Sequence, residues 1–148
     1  MKYIINQEEI KKIIPHRDPF LFLDGIIEIE VNKSITAHKK LYENEIFLLG
    51  HFPELPVMPG VLIIESMAQA AGVLIHKSNN DLSNKFILFL TGIEESKFRR
   101  PIYPDTDIIF YAEIIKVKRN FFKFHCTAKV DDQIMAESIL TQAPGKHL

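Results

Sequence analysis

His51 and Glu65 are the side chains of this sequence whose types and setting could move protons. Pro53, Pro56 and Pro59 stiffen the segment from Gly50 to Gly60, which carries His51 toward the start of a long apolar run. Glu65 sits inside that run, between Ile63-Ile64 and Met67-Ala68, where its charged form would be poorly solvated. An imidazole and a partly protonated carboxyl group can together take one proton and deliver another near neutral pH. If the apolar run is a helix, the N–H groups of Gly60 and Val61 at its start are free to hold a carbonyl oxygen that gains negative charge. Gly60 has no side chain to block that approach.

Each residue alone has a plainer role. A lone loop histidine is usually structural or solvated, and a buried carboxylate is usually satisfied by hydrogen bonds, here with Gln69 one turn later. Met58 and Met67 suit packing, and Cys126, on the apolar side of an alternating run, reads as a small buried hydrophobe. His16, His38, His51, His76, His125 and His147 show no paired metal spacing, so no metal is expected. The sequence holds no Gly-x-Gly-x-x-Gly, Walker loop or Gly-x-Ser-x-Gly elbow.

The elements that must position these groups can be read from periodicity. Asn6 and Glu9 form a capping-box pattern, and Ile10, Ile13 and Ile14 recur at helical spacing up to Pro15, which predicts a short leading helix. Ile27 to Val31 alternates apolar with acidic residues as a half-buried strand does. From Pro59, placed in the first turn, to Ile75 the apolar residues go nearly all round, predicting a helix buried in the protein. Glu65, Ser66 and Gln69 interrupt it, and it falls short of the ~20 apolar residues of a membrane span. Strands are expected over Lys85 to Thr91, Ile108 to Lys118 with a bulge near Ile114-Ile115, Phe121 to Val130 and Gln133 to Thr141. Arg119-Asn120 and Asp131-Asp132 mark hairpin turns between the last three. The outcome is an α+β domain whose antiparallel sheet curls around one long helix.

Composition agrees. The 148 residues are 47% hydrophobic and 25% charged, as in one ordinary soluble domain spanning 1–148. Eighteen basic and nineteen acidic residues give a net charge of −1, which offers no general field for nucleic acid. One cysteine excludes an internal disulfide and suits a reducing compartment; with no signal segment among the first residues, a cytoplasmic protein is expected.

The run from Gly50 to Gln69, Gly-His-Phe-Pro-x-x-Pro-Val-Met-Pro-Gly-Val-Leu-Ile-Ile-Glu-Ser-Met-Ala-Gln, strongly resembles the active-site stretch of the FabZ-type (3R)-3-hydroxyacyl-(acyl-carrier-protein) dehydratases. Ile14 to Leu21 is similar to the family's upstream Pro-His-Arg-x-Pro-Phe element, and Lys97 to Pro101 to its downstream Lys-Phe-Arg-Arg-Pro element. The resemblance implies a hot dog fold and dehydration of a 3-hydroxyacyl thioester to the trans-2-enoyl product in type II fatty-acid synthesis, without a metal or organic cofactor. It implies His51 as the base for the C2 proton and Glu65 as the acid for the departing hydroxyl, meeting across a homodimer that commonly assembles into a trimer of dimers. Gly60, with Val61, would hold the thioester carbonyl; Phe20, Phe22, Phe52, Pro59 and Gln69 would shape the substrate pocket. The implied partner is acyl carrier protein, for which Lys97, Arg99, Arg100, Lys118 and Arg119 are candidate contacts.

Asp18, Glu54-Leu55 and Asp105 depart from the family's usual aromatic, Gly-Asn and glycine, which bears on loop shape and chain-length preference. The alternatives are a bifunctional dehydratase/isomerase, whose central helix usually carries Asp in place of Glu65, a hot dog acyl thioesterase, and a silent acyl-binding module.

Overall fold

The structure, a computed structural model, describes residues 1–79 and 86–145. Seven strands, β1 (Ile5–Asn6), β2 (Gly25–Glu30), β3 (Ser34–Leu41), β4 (Leu88–Phe98), β5 (Thr106–Lys118), β6 (Phe121–Val130) and β7 (Gln133–Pro144), form one antiparallel sheet in the order β1-β2-β3-β5-β6-β7-β4. Helix α1 (Gln7–Ile10), a 3-10 turn (Ile46–Leu48) and the long helix α2 (Gly60–Ser78) complete the element order.

Helix α2 has 19 residues, a length of about 29 Å at 1.5 Å per residue. Met67, Ala70, Ala71, Val73, Leu74 and Ile75 are fully buried, against sheet residues that include Ile35, Phe110, Phe124 and Leu140. Alternation places those side chains inward: Phe122, Phe124, Cys126 and Ala128 of β6 are buried in turn. Burial pushes the Cys126 thiol up to about 12, so it is an inert apolar filler, as the sequence indicates. Each large aliphatic side chain taken from water contributes about 1.5–3 kcal/mol, and together they fix the helix inside the curve of the sheet.

The Asn6–Glu9 capping box forms in both directions, at 3.0 and 2.7 Å. The leading helix nevertheless ends at Ile10, where Ile13 and Ile14 were expected to continue it. The chain continues in tight turns, with the N–H groups of Ile13 and Ile14 both on the Ile10 carbonyl at 2.8 and 3.0 Å, and Arg17 donates Nη2 to the Lys11 carbonyl at 2.9 Å and Nη1 to the Ile14 carbonyl at 3.1 Å. Arg119, Asp131 and Asp132 have positive φ in the two hairpin turns, and the β5–β6 register slips between Ile114 and Lys116 where the bulge was expected. Asp105 takes φ 60, the left-handed conformation that glycine adopts most readily and Asp tolerates, and its N–H donates to the Leu41 carbonyl at 2.7 Å.

Other elements differ from expectation in extent or in being missed. Strand β3 went unrecognised, although it lies centrally between β2 and β5. Strand β4 runs past Thr91 to Phe98, while Lys85, where the strand was expected to begin, lies outside the described residues. Helix α2 has Pro59 as its N-cap and Gly60 as its first residue, in line with a start at Pro59-Gly60, and it runs past Ile75 to Ser78.

Candidate active site

The 3-10 turn ends in a loop that folds back on itself before α2 begins. The Val57 N–H donates to the His51 carbonyl at 2.8 Å, Phe52 and Leu55 exchange backbone bonds at 3.1 and 3.0 Å, and the Met58 N–H reaches the Ile102 carbonyl at 2.9 Å. The His51–Phe52 peptide bond is cis, and the two rings stack with centroids 4.3 Å apart. This fold-back brings His51 Nδ1 to 2.9 Å from the Val57 carbonyl oxygen. A carbonyl only accepts, so Nδ1 carries the proton of the neutral ring, and Nε2 is left with its lone pair. His51 opens on a cleft of about 380 Å³ shared with Gly60, Ile63, Phe98 and Arg100.

The first bonds within α2 run from the N–H groups of Leu62 and Ile63 to the Pro59 carbonyl, at 3.0 and 3.1 Å. The amides of Gly60 and Val61 therefore precede the helical ladder and stand at the positive end of its dipole. Gly60 borders the His51 cleft, and Val61 beside it is exposed. Glycine at position 60 permits a close approach and has no unusual φ: a Cβ there would lie 2.9 Å from the Phe98 ring, which would have to shift.

Glu65 faces elsewhere. It follows Ile63, which lines the His51 cleft, by two residues, or about 200° around the helix. Its carboxylate is only 22% exposed, yet its surroundings are not the apolar ones that its sequence neighbours suggest. Gln69 Nε2 donates to Glu65 Oε1 at 3.0 Å, and His16 Nε2 lies 3.4 Å from the same oxygen. The apolar neighbours of Glu65 turn into the core, and the carboxylate turns toward the loop after α1.

Gln69 is buried, and both ends of its amide are committed. Nε2 donates to the Phe20 carbonyl at 2.8 Å, and Oε1 accepts from the Phe22 N–H at 2.9 Å. The upstream element thus converges on Glu65 through its backbone. Arg17, which also donates to the His16 carbonyl at 2.7 Å, ties the loop into shape. Phe20 and Phe22, the candidate pocket residues of this element, lie with ring centroids 4.8 Å apart; the Phe22 ring is buried and also meets Phe47 edge-on, and Phe20 is about half exposed. Neither ring lines the small cavity of about 40 Å³ beside Glu65, whose walls include His16, Ala68, Gln69, Gly72 and Leu90. His16 carried no assigned role in the sequence; its place in the Pro-His-Arg element was the only available signal.

Residues 14–139 match the family described as FabA-like domain. The chain is 46% identical over 143 residues to a 3-hydroxyacyl-(acyl-carrier-protein) dehydratase FabZ of Coxiella burnetii, covering 96% of this chain and 99% of the relative. It is 45% identical over 136 residues to the protein of the same name from Neisseria meningitidis, covering 92% and 91%. The chain belongs to the FabA-like family. In fold it is similar to a chain of the dehydratase heterocomplex ApeI:P from Xenorhabdus doucetiae, with TM-score 0.77, 16% identity and coverage of 97% and 92%, which supports the hot dog architecture.

In this FabA-like chain the candidate carrier contacts divide into groups. Arg99 and Arg100 border the His51 cleft, with Arg99 Nη2 held by Glu137 at 2.7 Å. That bond lowers the pKa of the part-buried Glu137 carboxyl below its usual value. Lys97 lies by a separate surface hollow with His125 and Glu137, and Lys118 and Arg119 stand at the β5–β6 hairpin.

Proposed function

We propose that this chain removes water from (3R)-3-hydroxyacyl thioesters of acyl carrier protein to give trans-2-enoyl thioesters in fatty-acid biosynthesis, with His51 and Glu65 as its acid–base pair. The observation that carries the chemistry is the bond from His51 Nδ1 to the Val57 carbonyl, since it leaves Nε2 as a base beside free helix amides. His51 Nε2 takes the C2 proton, and the C2–H electron pair becomes the C2=C3 bond. The C3–O bond breaks with its pair on oxygen, which accepts the Glu65 proton and leaves as water. His51 finishes as imidazolium and Glu65 as carboxylate, and transfer through solvent restores both.

The amides of Gly60 and Val61 would receive the thioester oxygen as it gains charge. The thioester itself acidifies C2, so the elimination calls for no metal or organic cofactor. Phe52, Pro59 and Val61 would shape the pocket that receives the acyl thioester. Arg99 and Arg100, at the edge of the His51 cleft, are the best placed of the basic candidates to meet an acidic carrier protein.

His51 and Glu65 border different cavities of one chain, so this chemistry requires a second copy that supplies the missing partner. The edge strand β4 suits such a copy, because Phe89, Ile93 and Phe98 are each about half exposed along it. The resemblance extends the assembly to three such dimers.

With 3-hydroxybutyryl carrier protein, growth of enoyl absorbance is the expected result. Release of free thiol without enoyl formation would overturn the dehydratase assignment in favour of a thioesterase. Conversion of trans-2-decenoyl carrier protein to the cis-3 isomer would place the chain in the bifunctional branch.

A further inference from the structure

We propose that His16 is a positioning residue for the reaction, placed to meet the negative charge that appears on Glu65 Oε1 as Glu65 gives up its proton. The inference deepens the acid role of Glu65 and rests on it.

His16 Nε2 lies 3.4 Å from Glu65 Oε1, at the outer edge of hydrogen-bond reach. The other ring nitrogen, Nδ1, is buried and has no hydrogen-bond partner among the described residues. A buried lone pair left alone costs less than a buried N–H left alone, so the proton of the neutral ring belongs on Nε2, the nitrogen nearer the carboxyl group. The Gln69 amide reaches the same oxygen at 3.0 Å. Both nitrogen donors therefore converge on Oε1, and Oε2 remains the oxygen that can carry the proton for the departing hydroxyl.

This division makes the contact differential. While Glu65 is protonated on Oε2, Oε1 is a neutral carbonyl-type acceptor and a 3.4 Å contact adds little. Once the proton has moved to the leaving oxygen, Oε1 shares a full negative charge, and the N–H of His16 becomes a charge-assisted donor. Stabilisation that grows along the reaction raises kcat and leaves substrate binding nearly unchanged.

The loop geometry supports a held and not an incidental approach. Arg17 donates to the carbonyls of Lys11, Ile14 and His16, so the backbone on both sides of the imidazole is fixed. Gln69 holds the chain on the far side of the loop through Phe20 and Phe22. His16 thus approaches Glu65 from a loop anchored at both ends, 49 positions away in sequence.

Three substitutions separate this role from packing. Gln carries an N–H the same number of bonds from the backbone as His Nε2, Asn places its N–H where Nδ1 stands, and Leu fills space without a donor. His16→Leu and His16→Asn are expected to lower kcat about ten- to a hundredfold, the scale of one hydrogen bond to a charged group, with KM within about twofold. His16→Gln is expected to recover most of that loss. Steady-state dehydration of 3-hydroxybutyryl carrier protein reads all three, with Glu65→Gln measured alongside. Wild-type kcat in His16→Leu, or equal impairment of the Gln and Asn variants, would overturn the role of His16. If His16→Leu does not fold, the Gln and Asn pair decides the matter. A Glu65→Gln enzyme at full rate would instead sink the acid assignment beneath it, whatever the His16 variants do.

Discussion

Replacement of His51 by alanine is expected to lower kcat for dehydration by about 10³, within the 10² to 10⁴ range of a positioned general base, while the protein remains folded. The ring makes one hydrogen bond, to the Val57 carbonyl, and one stacking contact with the exposed Phe52. Loss of that bond costs about 1 kcal/mol of stability, which a folded domain tolerates. The kinetic loss corresponds to about 4 kcal/mol of transition-state stabilisation. It falls on kcat, because the substrate would still find the helix amides and the cleft. Enoyl absorbance and a thermal melt of the same sample separate the two effects. A variant that melts normally and keeps a tenth or more of the rate would exclude His51 as the base.

Glu65→Gln is expected to have an effect of similar size for a different reason. The amide is nearly isosteric, and its carbonyl oxygen can still accept from Gln69 Nε2, so the packing at the start of the helix is retained. What is lost is the transferable proton. The departing hydroxyl then leaves unassisted, at a cost of about 10² to 10⁴ in rate. The two roles can be told apart with a substrate whose C3 group leaves readily without a proton, such as an acetate ester of the 3-hydroxyl. With it the deficit of Glu65→Gln is expected to shrink and that of His51→Ala to persist. Equal deficits with both leaving groups would contradict the division of labour.

What could be read from the sequence is what local chemistry determines. The Asn6–Glu9 cap lies within one turn, the hairpins are announced by Arg119-Asn120 and Asp131-Asp132, and the all-round apolar run of α2 admits only a buried helix. Strand β3 was hidden by His38-Lys39-Lys40, a polar run that resembles a loop. Its burial depends on distant partners: His38 lies between the Tyr3 hydroxyl at 2.6 Å and Asp107 at 2.8 Å, and Lys39 pairs with Glu45 at 2.6 Å. The same hydrogen bond from His38 holds the Asp107 carboxyl below its usual range. Tyr3 can lie over this strand pair because position 25 is glycine; a Cβ there would overlap its ring.

The candidate site divides in the same way. His51 and Glu65 stand out by residue type and by their setting in sequence. Their placement on different sides of α2 follows from two residues of helical rotation. The fixed tautomer of His51 depends on a loop that folds back by six residues, and the Glu65 cluster draws on His16, Phe20 and Phe22 from a separate part of the chain. No periodicity encodes such contacts. Beside their rings, which are the candidate pocket walls, the backbone groups of Phe20 and Phe22 hold Gln69, a contact that no side-chain type announces.

The central claim is that a working site takes its imidazole from one copy of the chain and its carboxyl group from another. Mixing the inactive His51→Ala and Glu65→Gln proteins under conditions that exchange subunits tests it directly. Each mixed dimer would contain one doubly disabled site and one intact site, so an equal mixture is expected to regain about a quarter of wild-type activity. Differently tagged mixed dimers, purified and found inactive, would show that the two residues do not cooperate across subunits and would contradict the account.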